Sequence, residues 1–282
     1  MSMHQISITT PLARRAFRNR RIGIEPAGTV LQQLAQKLIH RERGKLNGLE
    51  GAVSFGRSVA AFLPALDQED LLQLVASFRR VLLLGQKEKT MAAAESTRSL
   101  GADVSGGMPI IGADEIKFVP AARLVLSKFS RSFGGCISVV SEDVRASEIR
   151  GIQDLQIAVG LTPLPGAFLR GGHGCVSTVC YRDSEGRLLA SATTVDLSDA
   201  GPDFMETSIL VGVAVHPDVQ GRGFGTAITA AGLLEAHKTL GARRVIAVVS
   251  PTNEVALHTN SKFHMHPLKN QTAIYLEMGG QA

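Results

Sequence analysis

The sequence predicts an α/β protein: a mixed, mostly antiparallel sheet flanked by helices, preceded by a mainly helical N-terminal region. Three observations carry this. Apolar spacing is helical from Thr29 to about Arg98. From Gly135 onward, short β-rich runs alternate with helical ones. Between them, VAVHPDVQGRGFGTAI, from Val213 to Ile228, sets three glycines and an arginine between a strand and a helix.

A length of 282 residues suggests about two domains. The division falls at a composition change: residues 1–115 as a mainly helical region with a linker, and 116–282 as an α/β unit. A hydrophobic share of 44% and a charged share of 20% suit a soluble chain with a sizeable core. No window approaches the roughly 18 apolar residues of a membrane span, and no secretory signal is visible. The expectation is a cytoplasmic protein without a membrane partner. Cys136, Cys175 and Cys180 are odd in number and lack CxxC spacing, which argues against a disulfide framework and against a metal site. The net charge of +5 favours anionic ligands, yet an aromatic share of 5% with no Trp argues against nucleic acid. TTPLARRAFRNRR, with Arg14, Arg15, Arg18, Arg20 and Arg21, reads as a solvated basic arm ahead of the alternative, a transit peptide.

Element by element, TVLQQLAQKLIH puts Val30, Leu31, Leu34 and Leu38 on one helical stripe. Asp67 can cap a second run through Leu71, Leu74, Val75, Phe78 and Leu82. SLGADVSGGMPIIGADE, with four glycines and a proline, reads as a linker or long loop. GCISVV is a strand, and Val144, Ile149, Ile152 and Leu155 mark the buried side of a helix. CVSTVCYR and RLLASATTVD form a hairpin around a Gly-containing turn. SILVGVAV is the strand before the glycine loop, and Gly241 stops the helix after it. RRVIAVVS, TNEVALHTNSKF and TAIYLEM follow as strand, short helix and strand. The strand–helix–strand crossover implies one parallel pairing inside a mostly antiparallel sheet.

The glycine loop has a chemical logic. Phe224, Ala227, Ile228, Ala231 and Leu234 lie at helical spacing, so a helix starts at the loop. Its first N–H groups lack intrahelical partners, and with the helix dipole they favour an anion. Glycines remove the Cβ atoms that would hold a phosphate away, and Arg222 adds a bidentate cation. A diphosphate fits. A dinucleotide fold would need a glycine at Thr226 and an acid after RRVIAVVS, and the Gly-Lys-Ser/Thr of a P-loop is absent.

These residues resemble the acyl-CoA-binding signature of the GNAT superfamily of N-acetyltransferases, Gln/Arg-x-x-Gly-x-Gly/Ala, with Gln220, Gly223 and Gly225 in the pattern. The element order from about Gly135 is also similar to a GNAT-like domain. The resemblance implies acetyl-CoA as co-substrate and a small-molecule or protein amine as acceptor. It further implies that main-chain groups from Gln220, Gly221, Arg222, Gly223, Phe224, Gly225 and Thr226 hold the pyrophosphate. Val213, Ala214 and Val215 would offer main-chain groups to the pantetheine arm, where the motif strand diverges from its parallel neighbour. Gly212, mid-strand, fits a bulge near that opening as well as it fits close packing. Asn253 is an N-cap that, by the resemblance, also reaches the cofactor. Asn260 stands where many members carry a proton-donating tyrosine, and His264-Met265 where they carry Gly-Phe.

Acyl transfer needs a neutral amine, a polarised thioester carbonyl and a stabilised thiolate. Proximity supplies much of the rate, and a main-chain N–H, Val215 being favoured, would polarise the carbonyl. Glu206, just before the motif strand, and His216, just after it, are the candidate bases. Asn260 would at most hydrogen-bond the thiolate, and Tyr275 would only pack. A His173–Cys175 nucleophilic pair is weighed and set below simple burial of Cys175. The function expected is an N-acetyltransferase working by direct attack in a ternary complex. The alternatives are a non-catalytic acyl-CoA sensor and an acyltransferase fed by an acyl-carrier protein. The N-terminal half is the place for acceptor specificity or for a homodimer contact.

Overall fold

The computed structural model describes residues 52–55, 58–62, 80–98, 102–170, 175–198 and 204–278. The expectations for the basic stretch 14–21, for the helix over 29–40, for residues 67–78 and for His173 lie outside them. In chain order the elements are β1 (Ala52–Phe55), β2 (Ser58–Phe62), β3 (Arg80–Gln86), α1 (Lys87–Arg98), β4 (Ala102–Asp114), α2 (Glu115–Ser132) and β5 (Cys136–Val139). Then follow α3 (Ala146–Ala158), α4 (Gly166–Leu169), β6 (Val176–Arg182), β7 (Leu188–Asp196) and β8 (Thr207–Val215). After a 3₁₀ turn at Pro217–Val219 come α5 (Phe224–Thr239), β9 (Arg244–Val248), α6 (Glu254–Ser261) and β10 (His266–Met278).

The strands join in one sheet of order β1-β2-β3-β10-β4-β9-β8-β7-β6-β5. From β5 onward every expected element is present, and the crossover through α5 makes β8 and β9 parallel. The remaining pairings are antiparallel except β2 with β3. Earlier in the chain two expectations change and one element is added. Helical spacing runs through Leu82 in the sequence, but this residue lies in β3 and pairs with Tyr275; among the described residues of this stretch the helix is α1. The supposed linker is β4, wedged between β10 and β9. Its glycines and Pro109 are accommodated by register shifts against β10. Thirdly, α2 spans 18 residues that carried no assignment, with Pro120 inside it.

Two layers of helix cover the sheet. Phe118, Ala122 and Phe129 of α2 pack with Ala227, Ile228, Ala231 and Leu233 of α5 over Ala190, Ala192 and Leu210. Ile149 and Ile152 of α3, with Phe168 and Leu169 of α4, cover the opposite face at Val176, Cys180, Val195 and Ile209. Phe118, Phe168, Phe263 and Ile152 are among the largest fully buried side chains. At about 1.5–3 kcal/mol for each large apolar side chain buried, these two layers fix β6, β7 and β8 between them.

Gly212 marks the irregular point of β8. Its φ is +60°, and the register against β7 shifts between Ser191 and Thr193. A Cβ there would lie 2.9 Å from both Gln156 Nε2 and Leu164 Cδ1. Bulge and close packing, the two explanations weighed for this glycine, therefore coincide. Gly212→Ala is expected to destabilise the protein by about 1–3 kcal/mol through forced positive φ and overpacking, read as a lowered midpoint in thermal or denaturant unfolding.

Candidate functional site

The parallel pairing of β8 with β9 consists of Thr207 with Arg244, Ser208 with Val245 and Ile209 with Ile246, and stops there. Meanwhile β9 pairs with β4 over its full length, from Arg244 opposite Asp114 to Val248 opposite Ile110. A gap therefore opens along β8 from Leu210 to Val215, about 20 Å of strand. Inside that stretch the ladder alternation decides which main-chain groups face the gap. His216 N–H donates to Leu189 O on β7 (2.8 Å), so Ala214, two residues back, also directs its groups to β7. Val213 and Val215 direct theirs to the gap. The expected trio thus divides: Val213 and Val215 present main chain to the opening, while Ala214 is buried and engaged with β7.

At the open end of β8 lies the glycine loop. Gly221 and Gly223 have φ of +74° and +91°, and a Cβ on either would meet no atom within 4 Å. Gly223 is the N-cap of α5, and the first helical bond recorded is Ala227 N–H to Gly223 O at 3.0 Å. The amides from Gly221 to Thr226 have no backbone acceptor among the described residues. Gln220 differs from that run. Its N–H donates to Pro217 O (3.2 Å), and its side-chain amide donates to Val215 O (3.1 Å), so it braces the loop against the strand.

Two cations stand at this helix start. The Arg222 guanidinium lies 5.8 Å from the Phe133 ring centroid and 5.9 Å from that of Phe224. Those rings belong to a cluster in which Phe224 meets Phe129 at 5.1 Å and Tyr181 at 5.1 Å. Cation–π contact of this kind is worth about 0.5–1 kcal/mol at exposed sites and sets the direction of the guanidinium. Lys262, just past α6, brings its Nζ to 3.5 Å from Thr226 Oγ1. Nothing in the sequence singled out Lys262 or Phe133: each reaches the loop through tertiary packing from a distant part of the chain.

The remaining candidates disperse. Glu206 has φ of +53° and lies six residues before Gly212, about 20 Å of extended chain away. Its carboxylate pairs with Arg243 Nε at 3.2 Å, and its carbonyl accepts from the Arg243 and Arg244 N–H groups at 2.7 and 3.1 Å. It therefore pins the closed end of β8 and β9. His216 caps the 3₁₀ turn: Nδ1 accepts from Asp218 N–H at 3.3 Å. Asn253 is the N-cap of α6, accepting from Ala256 N–H at 3.0 Å. Asn260 is buried. Its Nδ2 donates to Ala256 O at 2.8 Å, and its Oδ1 has no hydrogen-bond donor among the described residues. Tyr275 is on β10, three strands from β8. Cys175 is buried, as its strand-start position implied. Among the described residues no cluster of His, Cys, Asp or Glu could hold a metal ion, and no helix is long and apolar enough to cross a membrane. A cavity of about 270 Å³, lined by Val140, Val144, Arg145, Glu148, Cys180 and Arg182, lies against β5 and β6 and shares no residue with the gap.

Comparison with known proteins agrees with this geometry. The profile of the acetyltransferase (GNAT) family matches residues 160–264. A GCN5-related N-acetyltransferase from Kribbella flavida is similar at 14% identity and a TM-score of 0.51, covering 90% of this chain and 97% of its own. A GNAT-family protein from Novosphingobium aromaticivorans is similar at 15% identity and 0.52, covering 84% and 88%. A GCN5-related N-acetyltransferase-like protein from Streptococcus suis is similar at 12% identity and 0.50, covering 92% and 98%. No curated protein matches the sequence. At these identities the structural likeness concerns the fold.

The thiols give this arrangement a direct check. Burial pushes the Cys180 thiol up to about 12, against the opposing pull of Arg182, whereas Cys136 is exposed. Since the thiolate is the reactive form, iodoacetamide at pH 8 is expected to label Cys136 and to spare Cys175 and Cys180 until the protein unfolds. Mass spectrometry of the native and denatured protein reads this out.

Proposed function

We propose, from the match of residues 160–264 to the acetyltransferase (GNAT) family and from the geometry of β8 and α5, that the protein is an acyl-CoA-dependent N-acyltransferase, with acetyl-CoA as donor and an amine as acceptor. One observation carries the reading: the unpaired stretch of β8 leads straight into the unpartnered amides of the α5 N-terminus. A ligand with a peptide-like arm and a diphosphate would satisfy both at once. On this reading the pyrophosphate takes the amides of 221–226, the α5 dipole and the charges of Arg222 and Lys262. The pantetheine amides pair with the main chain of Val213 and with the Val215 N–H as an extra strand, the Val215 carbonyl being taken by Gln220.

The reaction follows from that placement. The amine lone pair attacks the thioester carbon, forming the C–N bond as the carbonyl π electrons move onto oxygen. Collapse of the tetrahedral species re-forms C=O, breaks C–S and releases the thiolate, and the proton lost by nitrogen goes to solvent or to the thiolate. Main-chain N–H groups facing the gap stabilise the oxyanion. Glu206, paired with Arg243 at the closed end of β8, and His216, capping the turn at the open end, are the candidate bases for the proton lost by nitrogen. The engagement of those two groups, and of Asn260, specifically favours a second reading: acyl-CoA binding without turnover, as in a sensor.

Thiol release from acetyl-CoA across pooled amines separates the two. An enzyme liberates CoA with at least one amine; a sensor binds acetyl-CoA and liberates none. Gly223→Asp, which sets a carboxylate at the helix start, is expected to weaken CoA affinity at least tenfold in either case. Lys262→Glu should act in the same direction to a smaller extent, and raised salt should shrink its effect. Full affinity in the Gly223→Asp protein would defeat the assignment of the loop.

A further inference from the structure

The acyl end of such a ligand would point along β8 toward the closed end of the gap, where Gly212 and Ile209 lie. Two side chains, those of Leu164 and Gln156, pack against Gly212 there. Leu164, in the connection between α3 and α4, is buried, and its Cδ1 is 2.9 Å from where a Cβ on Gly212 would stand. The missing side chain at 212 is what lets Leu164 reach the strand.

Leu164 is held there by an unusual clamp. Its N–H donates to Gln156 Oε1 at 2.8 Å, and its carbonyl accepts from Gln153 Nε2 at 2.8 Å. Both main-chain groups of one loop residue are thus fixed by glutamines one helical turn apart on α3. Gln156 is fully buried, and its Nε2 also lies 2.9 Å from the Gly212 Cβ position with no acceptor among the described residues. The neighbouring bond from Leu161 N–H to Gln156 O, at 2.8 Å, ties the same connection to the end of α3. A loop residue tethered by both of its main-chain groups cannot slide away when pressed, so its side chain acts as a fixed wall.

We propose that Leu164 is the stop that limits acyl-chain length, restricting the donor to short acyl groups such as acetyl. This rests on the acyl-CoA reading above and adds to it a specificity-determining residue. In an apolar pocket each added or missing methylene changes selectivity by roughly tenfold or more. Leu→Ala at this position removes three carbons and makes room for a correspondingly longer chain.

The test is a ladder of dissociation constants for free CoA, acetyl-CoA, butyryl-CoA and hexanoyl-CoA, measured by calorimetry on the full chain. The native protein is expected to bind acetyl-CoA at least tenfold more tightly than butyryl-CoA or hexanoyl-CoA. Leu164→Ala should bring butyryl-CoA to within about threefold of acetyl-CoA while leaving free CoA unchanged. Leu164→Phe, which keeps the site filled if the alanine variant folds poorly, should weaken acetyl-CoA about tenfold and again spare free CoA. A native protein that binds all chain lengths equally, or a ladder that neither variant moves, overturns the proposal while free-CoA binding keeps the acyl-CoA reading intact. Absence of binding to every CoA species removes both.

Discussion

The structure turns on β9 having one partner for all of its length and another for only part of it. Five consecutive residues of β9 pair with β4, from Arg244 to Val248, whereas only Arg244, Val245 and Ile246 pair with β8. Continued pairing would have closed the sheet; divergence leaves the β8 edge from Leu210 onward without a strand. An exposed main-chain group solvated by water forgoes a net stabilisation of only about 0.5–1.5 kcal/mol per hydrogen bond. The core on both faces of β6, β7 and β8 is large enough to hold the strand in place regardless. Gly212 then re-phases β8 at the mouth of the divergence. Beyond the bulge, Val213 and Val215 turn outward while Ala214 keeps its bonds to β7.

Rigidity at the two ends of the gap comes from different sources. At the closed end it is ionic and main-chain: Glu206 takes two N–H groups and the Arg243 side chain, and Asp114 pairs with Arg244 at 3.6 Å. Exposed pairs of this kind contribute little individually, so the main-chain bonds, not the charges, keep β8 and β9 together there. At the open end it is aromatic. Phe129 and Phe133 of the α2 end, Tyr181 of β6 and Phe224 of α5 meet at centroid separations of 4.7 to 5.4 Å. That cluster fixes where α5 begins and gives Arg222 a surface to lie on. A helix from before the glycine motif thus determines the geometry of the motif.

How much of this was legible depended on how local the deciding interaction is. The α5 helix, the Asn253 cap, the hairpin of β6 and β7 and the parallel crossover each follow from spacing or turn chemistry within a few residues. By contrast, β3 was hidden because its centre, Val81 to Leu84, is a continuous apolar run, and such a run fits a buried helix or a buried strand equally. Its deciding partner is β10, almost two hundred residues later. In β4 the glycines and Pro109 carry the composition of a loop, and only the pairing with both β9 and β10 makes it a strand. Pro120 disguised α2 in the same way, since an interior proline ordinarily breaks a helix. Within the site, the glycines and Arg222 were readable from the motif. The separate fates of Ala214 and Val215, and the bracing role of Gln220, were not, because they depend on ladder parity and on one side-chain bond.

The position of Asn260 bears on what chemistry remains. By the resemblance a tyrosine there would supply a proton to the departing sulfur; asparagine carries no titratable proton, and its Nδ2 donates to Ala256 O. On the proposed reading, the loss can be set against what the gap supplies. Dedicated acids and bases contribute roughly 10²–10⁴-fold each, whereas oriented binding of two reactants reaches effective molarities of about 10⁵–10⁸ M. The larger factor therefore resides in holding the thioester rigidly along β8, and a CoA thiolate departing into an opening toward water requires less help than an alkoxide or an amine would. A site organised this way depends more on the bulge, the clamp on Leu164 and the aromatic seat of Arg222 than on any titrating side chain. In such a site, substitutions that loosen the walls of the gap cost more turnover than replacement of Glu206 or His216.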